Sequence, residues 1–404
     1  MSAPRAGRVR VSGPLALFVS GFRDDLFRQG YKSGLGPLTL MAHLSRWMSA
    51  EGLGVEDLSR ERVETFVVTV DQPGRRVSWS MGAALPVLDY LVRVGAVPAW
   101  GPRPATTAAG MVIEDFKGYL HDERNLSAST VRNYADVARS FLSYVSSSDN
   151  SVDLGALTAG VVTEFVMAEA RHGKVASAKA MTTRLRCFLR FLYLKGLTPI
   201  SLVGAVPSVA GWRGASLPKA LDARQVARLL ESCDRRTSVG RRDFAVLVVL
   251  SRLGLRASEV AGLRLDDIDW RLGEVAVHGK GNRHDRLPLP VDVGEAIVGW
   301  LQRGRPRCEA NEVFVRVRAP QRGLSSEGVS AVVWHACDRA GMPRMGAHRL
   351  RHTAATQLLQ AGGTLAEVGQ VLRHRSSGEV TSMYAKVDRR SLAALVRPWP
   401  GASQ

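Results

Sequence analysis

Two segments rich in glycine and proline divide this sequence, and they limit its possible folds more than any other feature. The first is GAVPAWGPRPATTAAG near residues 95–110, and the second is TPISLVGAVPSVAGWRGASLPKA near 198–220. Clusters of Pro and Gly of this kind separate domains. A chain of 404 residues is also too long for one ordinary core. The sequence therefore predicts three parts, at about 1–100, 106–200 and 215–404.

The first two parts are predicted to be small helical bundles. Apolar residues recur there every three or four positions, and the alternation typical of strands is absent. The two parts also resemble each other as a loose internal repeat. LTLMAHLSRWMSAEGLGVEDLSRERVETFV matches STVRNYADVARSFLSYVSSSDNSVDLGALTAGVVTEFV, and SMGAALPVLDYLVRVGAVP matches KAMTTRLRCFLRFLYLKGLTP.

The third part mixes helices with a small sheet. DARQVARLLESCD predicts a helix with Asp222 as its N-cap residue. The alternating, glycine-bounded stretch DDIDWRLGEVAVHGKGNRHDRLPLP predicts a three-stranded antiparallel meander. Further helices follow it, so this part is expected to be an α+β domain with its sheet early and its helices late.

The charge balance indicates a nucleic-acid partner. There are 55 basic and 37 acidic side chains, a net charge of +18, and neutralising phosphates releases condensed counterions. The arginines are spread along the chain rather than gathered in a polybasic run, which disfavours a membrane surface, and no apolar segment reaches about 18 residues. The four cysteines are far apart and form no CxxC pair, so we expect a reducing, cytoplasmic compartment and no metal or other cofactor.

A basic phrase, HRLRH, places His348 and Arg351 three residues apart. On a helix both side chains lie on one face and can point at one phosphate. The plainer alternative is a basic helix that faces solvent. A zinc site pairing His348 with His352 is disfavoured, because the Glu of a zinc protease and any further ligand are lacking.

Arg256 lies in RLGLRASEVAGLRLDDIDW, just before a predicted helix start. A guanidinium at such a position suits an anion, since its paired N–H groups add to the helix dipole. Glu259 follows three residues later and is placed to orient it. The alternative is a capping or surface arginine.

Lys280 and Tyr384 are distinguished by their rarity. From residue 220 onward the only lysines are Lys280 and Lys386, and Tyr384 is the only tyrosine after Tyr193. A lysine at a hairpin tip can give a proton to a leaving oxygen, which arginine does not do readily; a chance surface lysine is the alternative. A tyrosine nucleophile needs cations and a base nearby, because its pKa is ordinarily near 10.

Together these residues suit the cutting of a phosphodiester. The two arginines and an imidazole would neutralise the scissile phosphate, Tyr384 would attack it in line, and Lys280 would protonate the departing 5′-oxygen. His374, ten residues before Tyr384, would bind the phosphate or assist the proton transfer. The product would be a 3′-phosphotyrosine, and no metal is required.

With their flanking phrases, these residues make the chain resemble the tyrosine recombinase family, also called phage integrases. The phrases are GLRASEVAGLRLDDID, HGKGNRHDRLPLP, GAHRLRHTAATQLLQAG and VLRHRSSGEVTSMYAKVD, within about 215–395. The resemblance implies a catalytic set of Arg256, Lys280, His348, Arg351, His374 and Tyr384. The sequence departs from the family pattern in two places. Arg373 stands where Gly is usual before the last His, and the interval from His374 to Tyr384 is one residue longer.

The resemblance also implies the roles of the three parts. Residues 106–200 are expected to be a helical, SAM-like core-binding domain that clamps DNA together with the catalytic domain at 215–404. Residues 1–100 are expected to be an N-terminal helical extension, with a second DNA-binding bundle as the alternative. The fold class is thus α-helical DNA-binding bundles plus an α+β catalytic domain of tyrosine-recombinase type with a small antiparallel sheet.

The function implied is site-specific recombination of double-stranded DNA by a homo-oligomer, expected to be a tetramer on paired sites. An accessory or sister recombinase is a further possible partner, and no membrane is involved. Two alternatives remain open. A type IB topoisomerase shares the chemistry but relaxes DNA as a monomer. A recombinase-derived DNA-binding protein without activity is disfavoured by the intact set of six residues.

Overall fold

The helices and strands of the computed structural model form two compact units. One unit combines Met1–Ala99 with Ser216–Gln404, and the other is Trp100–Ala215. The structure describes residues 9–70, 79–98, 107–146, 152–172, 175–209, 220–279 and 283–373.

The first unit begins with four helices around an apolar centre. They are α1 (Val19–Arg28), α2 (Leu35–Ala50), α3 (Arg60–Val70) and α4 (Met81–Arg93). Helix α2 packs against α3 and α4, and α1 packs against α4. Phe22, Leu44, Phe66 and Leu91 are fully buried between them. The helical periodicity of this part therefore predicted its elements correctly.

The second unit is also helical. It contains α5 (Ala108–Gly118), α6 (Ala128–Val145), α7 (Ala159–His172) and α8 (Val175–Leu194), and α5 continues into a π-helical turn at Tyr119–Glu123. Helix α6 packs against α8 and α7, as α2 packs against α4 and α3 in the first unit. Five phenylalanines form its centre, with neighbouring ring centroids 4.9–6.3 Å apart. The shared helix order agrees with the predicted repeat.

The rest of the first unit is α+β, as predicted. Its helices are α9 (Ala223–Glu231), α10 (Ser238–Leu253), α11 (Ala257–Ala261), α12 (Val291–Arg303), α13 (Ser326–Arg339), α14 (Ala347–Gln360) and α15 (Leu365–Val371). Between α11 and α12 lies the predicted meander, with β1 (Ile268–Asp269), β2 (Glu274–Gly279) and β3 (Arg283–Pro288) in antiparallel order. The register pairs Val275 with Leu287 and Gly279 with Arg283.

Helix α10 forms the centre of this α+β part. Its residues from Ala245 to Leu250 are buried on all sides, because α9, α11, α12, α13 and α14 pack around it. A helix that is apolar all round is stable only when it is enclosed in this way. The buried Trp300 joins α12 to this core and donates from Nε1 to the Val313 carbonyl at 2.8 Å. The helices that carry the candidate site residues are therefore anchored on one large core.

Helix starts follow local capping rules. The Asp222 carboxylate accepts a hydrogen bond from the Gln225 N–H at 2.7 Å, and the Gln225 side chain accepts one from the Asp222 N–H at 3.1 Å. This reciprocal pair is a capping box and confirms Asp222 as the N-cap of α9. Thr364 and Glu367 form the same arrangement at the start of α15.

The segment that follows α1 contacts the α+β part through its backbone. The Gln321 N–H donates to the Gln29 carbonyl at 2.9 Å, just after α1. The buried Asp25 holds the end of α1 through ion pairs with Arg28 at 3.3 Å and with Arg93 of α4. Helices before residue 100 and helices after residue 215 thus belong to one unit. The domain boundaries predicted from the sequence stay a prediction.

The fold class expected from the sequence is confirmed as a helix-rich chain with one small antiparallel sheet. The four cysteines carry free thiols, and two of them, Cys233 and Cys337, are buried. Among the residues that the structure describes, no helix has both the length and the apolar character to cross a membrane.

Candidate active site

Helix α14 brings His348 and Arg351 to its first turn, three residues apart as predicted. Arg351 is 1% exposed. Its Nη1 donates to the Gly254 carbonyl at 2.7 Å, and its Nη2 donates to the Leu372 carbonyl. A guanidinium keeps its charge when buried and must then be hydrogen-bonded. These two carbonyls fix the plane of the Arg351 side chain.

The backbone conformation of Gly254 places its carbonyl where Arg351 can donate a hydrogen bond to it. Gly254 ends α10 with φ +60°, in the left-handed region that glycine adopts without steric cost. A Cβ atom at this position would lie 2.7 Å from Leu372 Cδ2 and 3.3 Å from Ala354 Cβ. Helices α10, α14 and α15 therefore meet at a point where only glycine fits.

Arg256 lies at the N-cap of α11, as the sequence predicted. Its backbone N–H donates to Glu259 Oε2 at 2.7 Å, and its Nη1 donates to Glu259 Oε1 at 2.6 Å. The Glu259 side chain is 3% exposed, whereas that of Arg256 is 41% exposed. The prediction that Glu259 orients Arg256 is confirmed as a contact, and the open side of the guanidinium faces solvent that an anion can replace.

The two arginines converge on the turn that ends α15. Arg351 donates to the Leu372 carbonyl, and Arg256 Nη2 donates to the next carbonyl along the chain, that of Arg373, at 3.5 Å. This turn immediately precedes His374. Side chains that are 95 residues apart in the sequence thus share one short segment of backbone.

His348 lies within electrostatic reach of both guanidinium groups. Packing around its ring lowers its pKa, and the charges of Arg351 and Arg256 lower it further. Its neighbour His352 is 4.4 Å away, centroid to centroid, in an edge-to-face arrangement. Burial, His348 and Arg351 lower the pKa of His352 to about 4. Both imidazoles are therefore neutral at pH 7. Two neutral rings can lie beside the arginines without charge repulsion.

The described residues contain no group of three or more His, Cys, Asp or Glu side chains placed to hold a metal ion. The pairing of His348 with His352 therefore has no third ligand within this part of the chain.

Arg373, which stands where the family pattern has Gly, is a further member of the cluster. Its Nη2 donates to Glu259 Oε2 at 2.6 Å, and its Nε lies 3.9 Å from Asp285 Oδ2 on β3. Its backbone has φ +53° directly after α15, at the position where helices commonly end in glycine. A non-glycine residue there costs about 1–2 kcal/mol. The only sequence signal for this arginine was its occurrence where glycine is expected.

Three of the predicted site residues are not placed by the structure. Lys280, His374 and Tyr384 lie outside the described residues. The hairpin that leads to Lys280 is described up to the Gly279–Arg283 pair, and its strand β3 approaches the cluster through Asp285. The structure therefore brings together Arg256, His348 and Arg351.

Comparison with known proteins identifies the family. Residues 219–390 match the model of the phage integrase family, and residues 113–196 match that of the phage integrase N-terminal SAM-like domain. The putative integrase/recombinase y4rA of Sinorhizobium fredii is 38% identical over 97% of this chain and 96% of its own length. The chain belongs to the phage integrase family.

More distant relatives of this integrase agree. Tyrosine recombinase XerD of Listeria monocytogenes is 29% identical over 70% of this chain and 95% of its own length. The post-cleavage complex of XerH recombinase on palindromic difH substrate has a TM-score of 0.56 at 21% identity, covering 70% of this chain and 83% of XerH. A lambda integrase tetramer bound to a Holliday junction has a TM-score of 0.54 at 16% identity, covering 80% and 90%. The integrase therefore shares the fold of these proteins.

Proposed function

We propose that this integrase is a site-specific DNA recombinase that cuts and rejoins strands through a 3′-phosphotyrosine. One observation carries the proposal. The guanidinium groups of Arg256 and Arg351 converge on the carbonyls of Leu372 and Arg373, with His348 in electrostatic reach of both. This is a compact cationic site at a turn that leads into His374 and Tyr384.

The reaction follows from the charges. Arg256 and Arg351 neutralise the non-bridging oxygens of the scissile phosphate as negative charge builds on them. A neutral His348 donates an N–H to the same oxygens without needing a counter-ion. The loss of one such donor costs about 3–4 kcal/mol of transition-state stabilisation.

Bond making and breaking are assigned to Lys280 of the hairpin and to His374 and Tyr384 of the C-terminal motif. The Tyr384 oxygen attacks phosphorus in line, and its proton passes to a nearby base, for which His374 is the candidate. The bond from phosphorus to the 5′-oxygen breaks, and Lys280 gives that oxygen a proton. Rejoining reverses these steps, so no energy source is consumed.

The three parts of the chain are assigned by the same proposal. Residues 215–404 form the catalytic domain, and residues 106–200 form a DNA-binding domain, supported by the match to the SAM-like model. Residues 1–100 form a helical extension of the catalytic domain. The net charge of +18 favours a DNA partner. The lambda integrase tetramer on a Holliday junction supports a homotetramer as the working assembly. Its substrate would be cytoplasmic DNA.

The test is covalent capture. Purified protein is incubated in EDTA with nicked suicide duplexes that tile the DNA flanking its gene, and adducts that resist SDS are separated by electrophoresis. The wild-type protein is expected to form an adduct and Tyr384→Phe none. Tyr193→Phe, which removes an exposed phenol elsewhere, is the matched control and is expected to react normally.

The other outcomes each contradict part of the proposal. An adduct in Tyr384→Phe refutes the nucleophile. Binding without an adduct favours a protein that has lost its chemistry. A protein that forms adducts and relaxes supercoiled DNA, but never exchanges strands between duplexes, favours the topoisomerase alternative.

A further inference from the structure

Arg373 occupies a conformation and an environment that are unfavourable for an arginine. Its φ of +53° is one that glycine adopts more easily. Its side chain is 6% exposed, and its Nε is buried without a hydrogen-bond partner. A strained residue of this kind persists only where the surrounding contacts hold it in place.

The contacts that hold Arg373 centre on Glu259. This buried carboxylate accepts from Arg256 Nη1 at 2.6 Å and from Arg373 Nη2 at 2.6 Å, one guanidinium on each oxygen. A lone Glu259 would cancel the charge of Arg256. With Arg373 present, two cations share this carboxylate, so Glu259 no longer neutralises Arg256 alone.

Arg373 also connects the cluster to the hairpin. Its Nε lies 3.9 Å from the partly exposed carboxylate of Asp285, and Asp285 pairs with Val277 in the β2–β3 ladder that leads to Lys280. The Arg373 side chain therefore links the end of α15 to α11 and β3. The backbone carbonyl of Arg373 also accepts a hydrogen bond from Arg256.

We propose that Arg373 is a positioning residue for Arg256. It holds Glu259 from the opposite side, shares the charge of that carboxylate with Arg256 and keeps the Arg256 guanidinium aimed at the phosphate. The inference rests on the proposed function and names a residue of the same site. Because Arg373 is buried, it acts through Glu259 and does not touch DNA itself.

The test separates cleavage from binding in single-turnover reactions on the captured suicide duplex. Arg373→Gly is expected to lower the rate constant of adduct formation about 10- to 100-fold, as a small misplacement of a phosphate ligand does. Its affinity for the duplex is expected to stay within about twofold, since the side chain is out of reach of the DNA. Arg373→Lys keeps the charge and is expected to recover part of the rate.

Repeating the Arg373→Gly substitution in a Glu259→Gln variant shows whether Arg373 affects the cleavage rate through Glu259. In Glu259→Gln the carboxylate charge is gone, so adding Arg373→Gly is expected to lower the rate by less than about twofold more. The matched control is Arg236→Gly, which removes an arginine from an exposed ion pair with Asp234. Its rate is expected to equal that of the wild type.

Each outcome is decisive. A wild-type protein without any adduct refutes the proposed function, and the inference falls with it. A wild-type adduct with an unchanged rate in Arg373→Gly overturns the inference alone. An equal loss in the wild-type and Glu259→Gln backgrounds, or a loss of affinity that accounts for the slower reaction, also overturns it. If Arg373→Gly fails to fold, Arg373→Gln, which keeps the length and removes the charge, takes its place, and a wild-type rate then overturns the inference.

Discussion

Gly254 offers a test of how Arg351 is supported. The substitution Gly254→Ala places a Cβ 2.7 Å from Leu372 Cδ2 and 3.3 Å from Ala354 Cβ, on a backbone with φ +60°. Both neighbours are buried. The residue that must move, Leu372, is also one whose carbonyl accepts from Arg351. The change therefore disturbs both carbonyls that hold this guanidinium.

The expected loss of stability has two parts. A left-handed alanine costs about 1–2 kcal/mol relative to glycine. Forcing a methyl group into a packed site costs about 1–3 kcal/mol more. The free energy of unfolding should fall by roughly 2–5 kcal/mol, since the two costs add.

Gly273→Ala separates the two costs. Gly273 has φ +65°, and a Cβ there would meet nothing within 4 Å. Its substitution carries the backbone cost alone, about 1–2 kcal/mol. Urea unfolding measures both variants, and covalent capture measures cleavage. Gly254→Ala should be the less stable variant and should cleave slowly, whereas Gly273→Ala should cleave normally. Equal losses of stability, or normal cleavage by Gly254→Ala, would show that the carbonyls do not hold Arg351 as described.

Three further outcomes follow from the same contacts. Arg351→Ala should lower the rate of adduct formation about 10²- to 10³-fold in single-turnover assays, and a rate near that of the wild type would exclude this arginine from the site. His352, with its pKa of about 4 in the folded state and about 6.5 when unfolded, binds a proton more readily in the unfolded chain. Its contribution to stability is therefore complete above the unfolded value and is lost as pH falls from about 6.5 towards 4; thermal melts of His352→Gln should be less sensitive to acid over that window, and an identical pH profile would contradict the assignment. Asp222→Ala removes the capping box of α9 and should cost about 1 kcal/mol in urea unfolding while cleavage stays normal; slowed cleavage would mean that α9 affects the site.

The parts of the structure that the sequence predicted well depend on local signals. The periodicity of the first two helical parts and the turn residues of the meander act over a few positions, and Asp222 and Gln225 cap α9 across three residues. Arg256 and Glu259 are equally close in sequence, so their contact could be expected from helix geometry alone.

The parts that the sequence did not predict depend on distant contacts. Arg373 reaches Glu259 across 114 residues and Asp285 on a different element. No periodicity reports such a pairing. The same holds for the Gly254 carbonyl, whose role becomes visible only when α14 is packed beside α10. The family pattern indicated the catalytic residues, but it has glycine at the position of Arg373 and so predicts no partner for an arginine there.

The contact between the segment after α1 and the α+β part has a consequence for synthesis. The Gln29 carbonyl receives its hydrogen bond from Gln321, so the ribosome must make most of the chain before this contact can form. At about 5–20 residues per second the delay lasts many seconds. During that interval Trp100–Ala215 can complete its own core. The Gln29 carbonyl meanwhile lacks the Gln321 N–H that it accepts from in the folded protein. A nascent chain stalled before Gln321 therefore lacks this contact, which forms only when the later residues have left the ribosome.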